Sequence, residues 1–200
     1  MNIIMTGSTS FVGAATVREL LRRGHTVTAI VRPKSSKLDT ILEGNEEALL
    51  SGRLLVTEND LSEPEKLLEK VTKPQDVFCH FGWGGSGSVS RTDKALQEKN
   101  MEISLETIRT AKALGCKKFL FSGSQAEYGM HQDLITEDAV CEPKSLYGEA
   151  KLAMREKGEK LCDELGLRYI HARIFSAYGP GDHPWTLVES CLDIFLSRRP

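Results

Sequence analysis

The sequence lacks the features that mark membrane, secreted and nucleic-acid-binding proteins. No apolar run approaches the roughly 20 residues that span a bilayer, and residues 1–2 lead straight into an apolar stretch without a basic leader segment. The 26 basic and 28 acidic side chains give a net charge of −2, so no strongly basic surface is available for a nucleic acid. We therefore expect a cytoplasmic protein, with neither a membrane nor a nucleic acid as its partner.

Neither the cysteines nor the histidines form a recognisable pattern. Five cysteines are dispersed without CxxC spacing, which predicts reduced thiols rather than a disulfide framework: Cys79, Cys116, Cys141, Cys162 and Cys191. Four histidines fall on separate segments without metal-ligand spacing: His80, His131, His171 and His183. The sequence thus predicts no metal site, and it predicts Cys79 as a small core side chain.

Apolar runs of strand length alternate with longer helical stretches along the chain. Strands are predicted over residues 2–6, 26–31, 53–57, 76–80, 118–122 and 168–174, each typical of a parallel strand buried on both faces. Helices are predicted over residues 11–23, 37–50, 65–71, 91–114 and 146–165, with Gly24, Gly115 and Gly166 at helix ends. The alternation predicts an α/β fold of the Rossmann type, a doubly wound parallel sheet with helices on both faces.

Two long connections interrupt this alternation. They cover residues 82–90, after the fourth strand, and residues 129–145, after the fifth. In open α/β sheets, ligands bind outside the carboxyl ends of the strands. We therefore expect both connections to border the binding site.

The first strand leads into a glycine-containing loop, TGSTSFVG over residues 6–13. Gly7 allows a tight turn, Gly13 allows close packing of helix on strand, and the helix start directs backbone N–H groups at a diphosphate. The loop favours a dinucleotide, and the alternative is a plain strand-to-helix turn capped by Ser10. Ser10 stands where a middle glycine is usual, so its Cβ reduces the room for the diphosphate.

The end of the second strand bears on the choice of nucleotide. Val31 stands where an acidic side chain would bind the ribose hydroxyls of NAD, and Arg32 and Lys34 follow it. A guanidinium suits a 2′-phosphate, so we expect NADP in preference to NAD, with solvated loop charges as the alternative. Asp60, after the third strand, either accepts from the adenine amino group or caps a turn.

Tyr147 and Lys151 are one turn apart on a predicted helix. An ammonium near a phenol favours the phenolate and lowers the tyrosine pKa, which makes the tyrosine usable as a general acid or base. An exposed tyrosine beside a lysine is the alternative interpretation. Ser124 favours the catalytic one, because it is expected just past the fifth strand, where its hydroxyl could meet the substrate oxygen that Tyr147 protonates.

Taken in order, these motifs resemble the extended short-chain dehydrogenase/reductase family, the nucleotide-sugar epimerases, dehydratases and reductases. The resemblance runs from the first strand to Asp182 and includes FSGSQAEYG (121–129), YGEAK (147–151) and RIFSAYGPGD (173–182). It implies catalysis by Ser124, Tyr147 and Lys151, with Asn100 supporting the lysine through a water. It further implies cofactor contacts by Tyr147 and Lys151 and by Gly7, Ser10, Phe11, Val12, Gly13, Arg32, Asp60, Leu61, Phe81, Gly82, Trp83 and Phe175. Substrate contacts are implied for Ser124, Gln125, Ala126 and Ser176.

Two departures from the family pattern narrow the expected reaction. Family dehydratases carry an Asp-Glu pair directly after the catalytic Ser or Thr, where this chain has Gln125 and Ala126, and Glu127, one place further on, is expected to face solvent. The Cys and His of a 3,5-epimerising reductase are not evident either. What remains is 4-epimerisation or 4-keto reduction of a nucleotide sugar, with a catalytically silent NADP-binding sensor or partner module as the alternative.

The resemblance also implies a division of the chain and a partner. We expect residues 1–174 to form the NAD(P)-binding domain with the catalytic residues, and residues 175–200 to begin a truncated substrate-binding region. The C-terminal substrate domain is then largely missing, so we expect cofactor binding with little or no turnover. The helices over residues 91–114 and 146–165 match the pair that forms a four-helix bundle in the family's dimers, which implies a homodimer.

Overall fold

The structure is a computed structural model in which residues 1–85 and 89–197 are described. Within these residues, six strands form one sheet in the order β3-β2-β1-β4-β5-β6, and every neighbouring pair is parallel. The strands are β1 Asn2–Thr6, β2 Thr26–Val31, β3 Leu54–Glu58, β4 Val77–His80, β5 Lys118–Ser124 and β6 Arg168–Ile174. The helices are α1 Phe11–Arg22, α2 Asp39–Leu42, α3 Glu46–Leu50, α4 Leu67–Lys70, α5 Lys94–Ala113, α6 Leu146–Leu165 and α7 Leu187–Leu196. The predicted Rossmann-type parallel sheet is confirmed.

The sheet carries an apolar core on each face because successive side chains of a strand point to opposite sides. Ile4 and Phe78 belong to the core beneath α5 and α6, whereas Ile3 and Met5 belong to the core beneath α1. Both sides of the central strands are therefore buried. This explains why their sequences are continuous apolar runs rather than alternating ones.

Most predicted element bounds are correct within two residues, but two of the predicted helices are broken and a third starts late. The predicted helix over residues 37–50 divides into α2 and α3, and the one over 65–71 is a 3-10 turn followed by α4. The helix predicted over 91–114 starts later, at Lys94, where the Asp93 side chain accepts from the Leu96 N–H. β5 runs two residues further than predicted, so Ser124 is its last residue. Gly24, Gly115 and Gly166 have positive φ at helix ends, as predicted.

The strand order places β1 beside β4. From β1 the chain adds β2 and β3 on one side, and from β4 it adds β5 and β6 on the other, so the boundary between β1 and β4 is the topological switch point. The glycine loop after β1 and the segment after β4 meet there. Gly7 has φ +69°, and a Cβ on it would stand 2.7 Å from the carbonyl carbon of Phe81 and 2.8 Å from the nitrogen of Gly82. The crevice expected at such a switch point is therefore formed by two closely approaching backbones.

Three features of the described residues bear on the sequence expectations. Across the two described ranges, no helix is both long and apolar enough to cross a membrane, and no three His, Cys, Asp or Glu side chains are grouped as a metal ion requires. All five cysteines are unpaired thiols. Cys79 is a core residue as predicted, and burial raises its pKa to about 11.

Candidate active site

A cleft of about 770 Å³ opens at the carboxyl ends of β5 and β6. It brings together most of the predicted catalytic and nicotinamide-side residues: Ser10, Phe11, Val12, Phe81, Trp83, Ser124, Gln125, Ala126, Tyr147, Lys151, Phe175 and Ser176. Gly129, Met130, His131 and Ile135 of the long connection after β5 line it as well. This connection therefore lines the cleft, and its place at the binding site stays a prediction. Of the other connection, residues 86–88 lie outside the described residues.

A second cleft of about 370 Å³ continues from the first towards β2. Ser10, Phe81 and Trp83 line both spaces. The predicted residues Gly7, Arg32, Leu61 and Gly82 line only the smaller one. The two adjoining spaces run from the end of β2, past the glycine loop, to Tyr147.

The glycine loop is held in shape by Ser10. Its Oγ donates to the Gly7 carbonyl at 2.7 Å and accepts from the Gly13 N–H at 3.1 Å, so Ser10 is the N-cap of α1. A Cβ on Gly13 would collide with the Gly7 carbonyl oxygen. As at the start of any α-helix, the first N–H groups of α1, at Phe11 and Val12, have no partners inside the helix. Such a helix start fits the diphosphate of a dinucleotide.

The end of β2 presents positive charge to the smaller cleft. Val31 is buried, Arg32 is exposed and lines the cleft, and Lys37, which the sequence analysis did not select, lines it too. The Asp60 carboxylate accepts from the Ser62 hydroxyl at 2.6 Å and from the Ser62 N–H at 2.9 Å. These bonds lower the pKa of Asp60, and Arg32 contributes by its charge. Asp60 therefore caps a turn, and its contact with adenine stays a prediction.

Lys151 is buried beneath the cleft. Its ammonium donates to the Ser122 carbonyl at 2.8 Å and is 3.9 Å from the centroid of the Trp83 ring. Burial lowers the pKa of Lys151 from its ordinary 10.5 to about 7, and the charge of Glu127 opposes this shift. A lysine whose pKa is about 7 can gain or lose its proton at physiological pH.

Tyr147 does not have the depressed pKa that the sequence analysis expected. Burial raises its pKa, while a hydrogen bond with Ser124 and the charge of Arg91 act in the opposite direction. The Lys151 ammonium is 5.7 Å from the Tyr147 ring centroid and is bonded to a carbonyl instead. The expected lowering by Lys151 is therefore wrong for this structure, although the two side chains do share one face of α6 and one cleft.

Asn100 has a buried amide that holds the segment after β4. Its Oδ1 accepts from the Gly84 N–H at 3.0 Å, and its Nδ2 donates to the Gly84 carbonyl at 2.8 Å. The neighbouring Trp83 indole N–H donates to Gln97 Oε1 at 2.9 Å. Asn100 thus positions the loop that carries Trp83, and a water-mediated link to Lys151 stays a prediction.

The chain's family follows from a direct comparison. The family described as NAD dependent epimerase/dehydratase matches residues 3–198. The chain belongs to the NAD dependent epimerase/dehydratase family. This match confirms the family resemblance that was drawn from the sequence motifs, and it covers all of them, from the first strand to Asp182.

The individual relatives of this chain are distant, with sequence identities below 30%. An uncharacterized UDP-glucose epimerase of Bacillus subtilis is 26% identical and covers 100% of this chain and 64% of its own length. A D-erythronate dehydrogenase of Cupriavidus necator is 29% identical over 87% of this chain and 53% of its own length. The solved UDP-glucose 4-epimerase of Thermotoga maritima, with UDP-glucose, has a TM-score of 0.81 at 25% identity over 98% of this chain and 63% of its own. The chain therefore spans between half and two thirds of each relative.

Two features of the candidate site escaped the sequence analysis. The Arg91 guanidinium lies 4.8 Å from the Tyr147 ring centroid, although the sequence analysis did not select Arg91 as a site residue. Glu127 is completely buried rather than solvent-facing, because His171 and Arg173 of β6 bond its carboxylate. His171 and Arg173 at alternate positions of β6 were the available signal, since alternate residues share one face of a sheet.

Proposed function

We propose that this chain carries the cofactor-binding and proton-transfer part of an NAD(P)-dependent enzyme that acts on a nucleotide sugar. The reaction is 4-epimerisation through transient oxidation, or reduction of a 4-keto sugar. The observation that carries the proposal is the convergence of Ser124, Tyr147 and Lys151 on one cleft that the glycine loop also lines. The similarity to UDP-glucose epimerases supports a nucleotide sugar as substrate.

The two adjoining clefts suit a dinucleotide laid across the switch point. Phe11 and Val12 would hold its diphosphate through their N–H groups, and Phe81 and Trp83 would line its path to Tyr147. When bound, the nicotinamide supplies or accepts a hydride. We further propose NADP in preference to NAD, because the exposed Arg32 lines the smaller cleft and Val31 provides no carboxylate.

Tyr147 would move the proton that accompanies the hydride. In the reducing direction its phenol donates to the oxygen of a 4-keto sugar, and in the oxidising direction its phenolate takes the proton of the 4-hydroxyl. Ser124, which lines the same cleft as Tyr147 and acts to lower the Tyr147 pKa, would hold the same substrate oxygen. Burial favours the phenol, which suits reduction, while the charge of Arg91 favours the phenolate that epimerisation needs first.

A homodimer through α5 and α6 remains part of the proposal. The two helices pack against each other on the same face of the sheet. The division of the chain after residue 174, cytoplasmic location and weak turnover by residues 1–200 alone also stay predictions. Sedimentation velocity would detect the dimer.

The substrate class can be tested with the protein expressed from its complete gene. The protein is mixed with NADP or NAD and with either UDP-, dTDP-, GDP- or CDP-linked hexoses or D-erythronate. Absorbance at 340 nm detects net oxidation, and proton NMR detects the 4-epimer that leaves no net absorbance. The proposal expects change with at least one nucleotide sugar and none with D-erythronate. Turnover of D-erythronate without any turnover of a nucleotide sugar would overturn it.

A further inference from the structure

A buried carboxylate stands directly behind the catalytic serine. The Glu127 side chain is 0% exposed, and three donors surround it. They are the Ser124 N–H at 2.7 Å, His171 Nε2 at 2.9 Å and Arg173 Nε at 2.8 Å. A carboxylate buried with this many donors is an ordered part of the structure, since each partner fixes its position.

The charges in this cluster are compensated locally. Burial alone would raise the pKa of Glu127, but the hydrogen bonds from His171, Arg173 and Ser124 lower it overall. The carboxylate is therefore ionised beside the permanent charge of Arg173. Because a carboxylate only accepts, His171 Nε2 carries a hydrogen, and its Nδ1 is 3.1 Å from the Tyr169 hydroxyl. The charge of Glu127 also acts to raise the pKa of Lys151 and of Tyr147, both on α6.

The backbone of β5 leaves room for this cluster at one residue. A Cβ on Gly123 would stand 2.5 Å from His171 Nε2 and 2.6 Å from Glu127 Oε1. The residue directly before Ser124 must therefore be glycine for the carboxylate to lie against β6.

Glu127 and Ser124 are joined by the reciprocal hydrogen bonds of one short turn. Its Oε1 accepts from the Ser124 N–H, while Ser124 Oγ accepts from the Ala126 N–H at 3.2 Å. Together they form a capping box that fixes both the backbone and the side chain of Ser124. With one acceptor site used by the Ala126 N–H, the Ser124 hydroxyl keeps its own hydrogen for a partner in the cleft, which Tyr147 also lines.

We propose that Glu127 is a positioning residue whose carboxylate, clamped to β6 by His171 and Arg173, holds the Ser124 hydroxyl on Tyr147. The inference rests on the proposed function only for the use it assigns to Ser124. A merely structural ion pair between β5 and β6 would stabilise the fold without controlling the Ser124–Tyr147 bond.

The experiment measures that bond by titrating Tyr147, without substrate or cofactor. The chain holds only four tyrosines, so ¹³Cζ-tyrosine NMR of the 200-residue chain resolves them, and Tyr147→Phe assigns the signal. Glu127→Asp keeps the charge but withdraws the carboxylate from Ser124. It is measured in the native background and in a Ser124→Ala background, with Glu149→Asp on the exposed side of α6 as the matched control.

We expect Glu127→Asp to raise the Tyr147 midpoint by roughly 0.4–1.1 pH units, the equivalent of one ordinary hydrogen bond. In the Ser124→Ala background the same change should leave the midpoint in place, and Glu149→Asp should do nothing in either. If Glu127→Asp does not fold, Glu127→Gln replaces it. Its loss of charge then lowers the midpoint in both backgrounds, but less where Ser124 is present.

Equal midpoint shifts in the two backgrounds would overturn the inference, since Glu127 would then not act through Ser124. At pH 7 the Ser124 amide proton gives an independent reading. It should resonate downfield in the native chain and move upfield in Glu127→Asp, and an unmoved resonance would also count against the inference. Failure of every nucleotide sugar to react would contradict the proposed function and leave this titration unaffected.

Discussion

Replacing Gly7 with alanine tests the close approach of backbones on which the crevice depends. The alanine would have to adopt the positive φ of +69° that Gly7 has, which costs an L-residue roughly 1–2 kcal/mol. It would also press on the backbone of Phe81 and Gly82 at 2.7–2.8 Å, and overpacking of this kind costs roughly 1–3 kcal/mol. We expect Gly7→Ala to lower the free energy of unfolding by about 2–5 kcal/mol.

Gly24→Ala is the matched control, because Gly24 has a similar φ of +79° and no atom within 4 Å of the added Cβ. It should cost only the conformational part, roughly 1–2 kcal/mol. Urea unfolding at pH 7, compared at equal m-values, measures both changes, and a cofactor titration should show weaker binding for Gly7→Ala alone. Equal losses of stability in the two variants would refute the argument that the clash, rather than the backbone angle, excludes a side chain at position 7.

Two further predictions concern charge. Because the folded chain holds the pKa of Lys151 near 7 while the unfolded chain returns it to about 10.5, the unfolded state binds more protons in this window. Stability therefore rises with pH by up to about 1.4 kcal/mol per unit between these values. Urea unfolding from pH 7 to 9 should show that Lys151→Met removes this rise, and an unchanged slope would contradict the burial. Arg32→Ala should weaken NADPH binding by roughly 10–100-fold and spare NADH, while Arg22→Ala at the far end of α1 changes neither. Tighter binding of NADH than of NADPH by the native protein would contradict the role of Arg32.

The fold was predictable because its central strands leave few alternatives. Runs such as residues 3–5 and 119–121 contribute side chains to the cores on both faces of the sheet, so their sequences are continuously apolar. The helical segment over residues 37–50 was less predictable. It packs on the edge of the sheet through few buried side chains, such as Ile41 and Ala48, so local turn preferences could break it into α2 and α3.

The site was predictable where a backbone rule or a motif determined it, and less so where packing did. The glycine loop and the serine at the end of β5 follow from the geometry of parallel sheets. The positions of Glu127 and of the Lys151 ammonium depend on what β6 and Trp83 place next to them. These partners are distant in the chain from the residues that they contact. The sequence around Glu127 therefore does not reveal that this side chain, one place past the positions of the dehydratase Asp-Glu pair, is buried.

The central claim is that Tyr147 moves the substrate proton in an NAD(P)-dependent reaction. Its most direct test compares the native protein, expressed from its complete gene, with Tyr147→Phe and with the control Tyr178→Phe, whose ring is exposed. Turnover of the nucleotide sugar and cofactor affinity are measured for all three. We predict that Tyr147→Phe lowers turnover by at least about 10²-fold with cofactor affinity retained, and that Tyr178→Phe matches the native protein. Native turnover by Tyr147→Phe would contradict the claim.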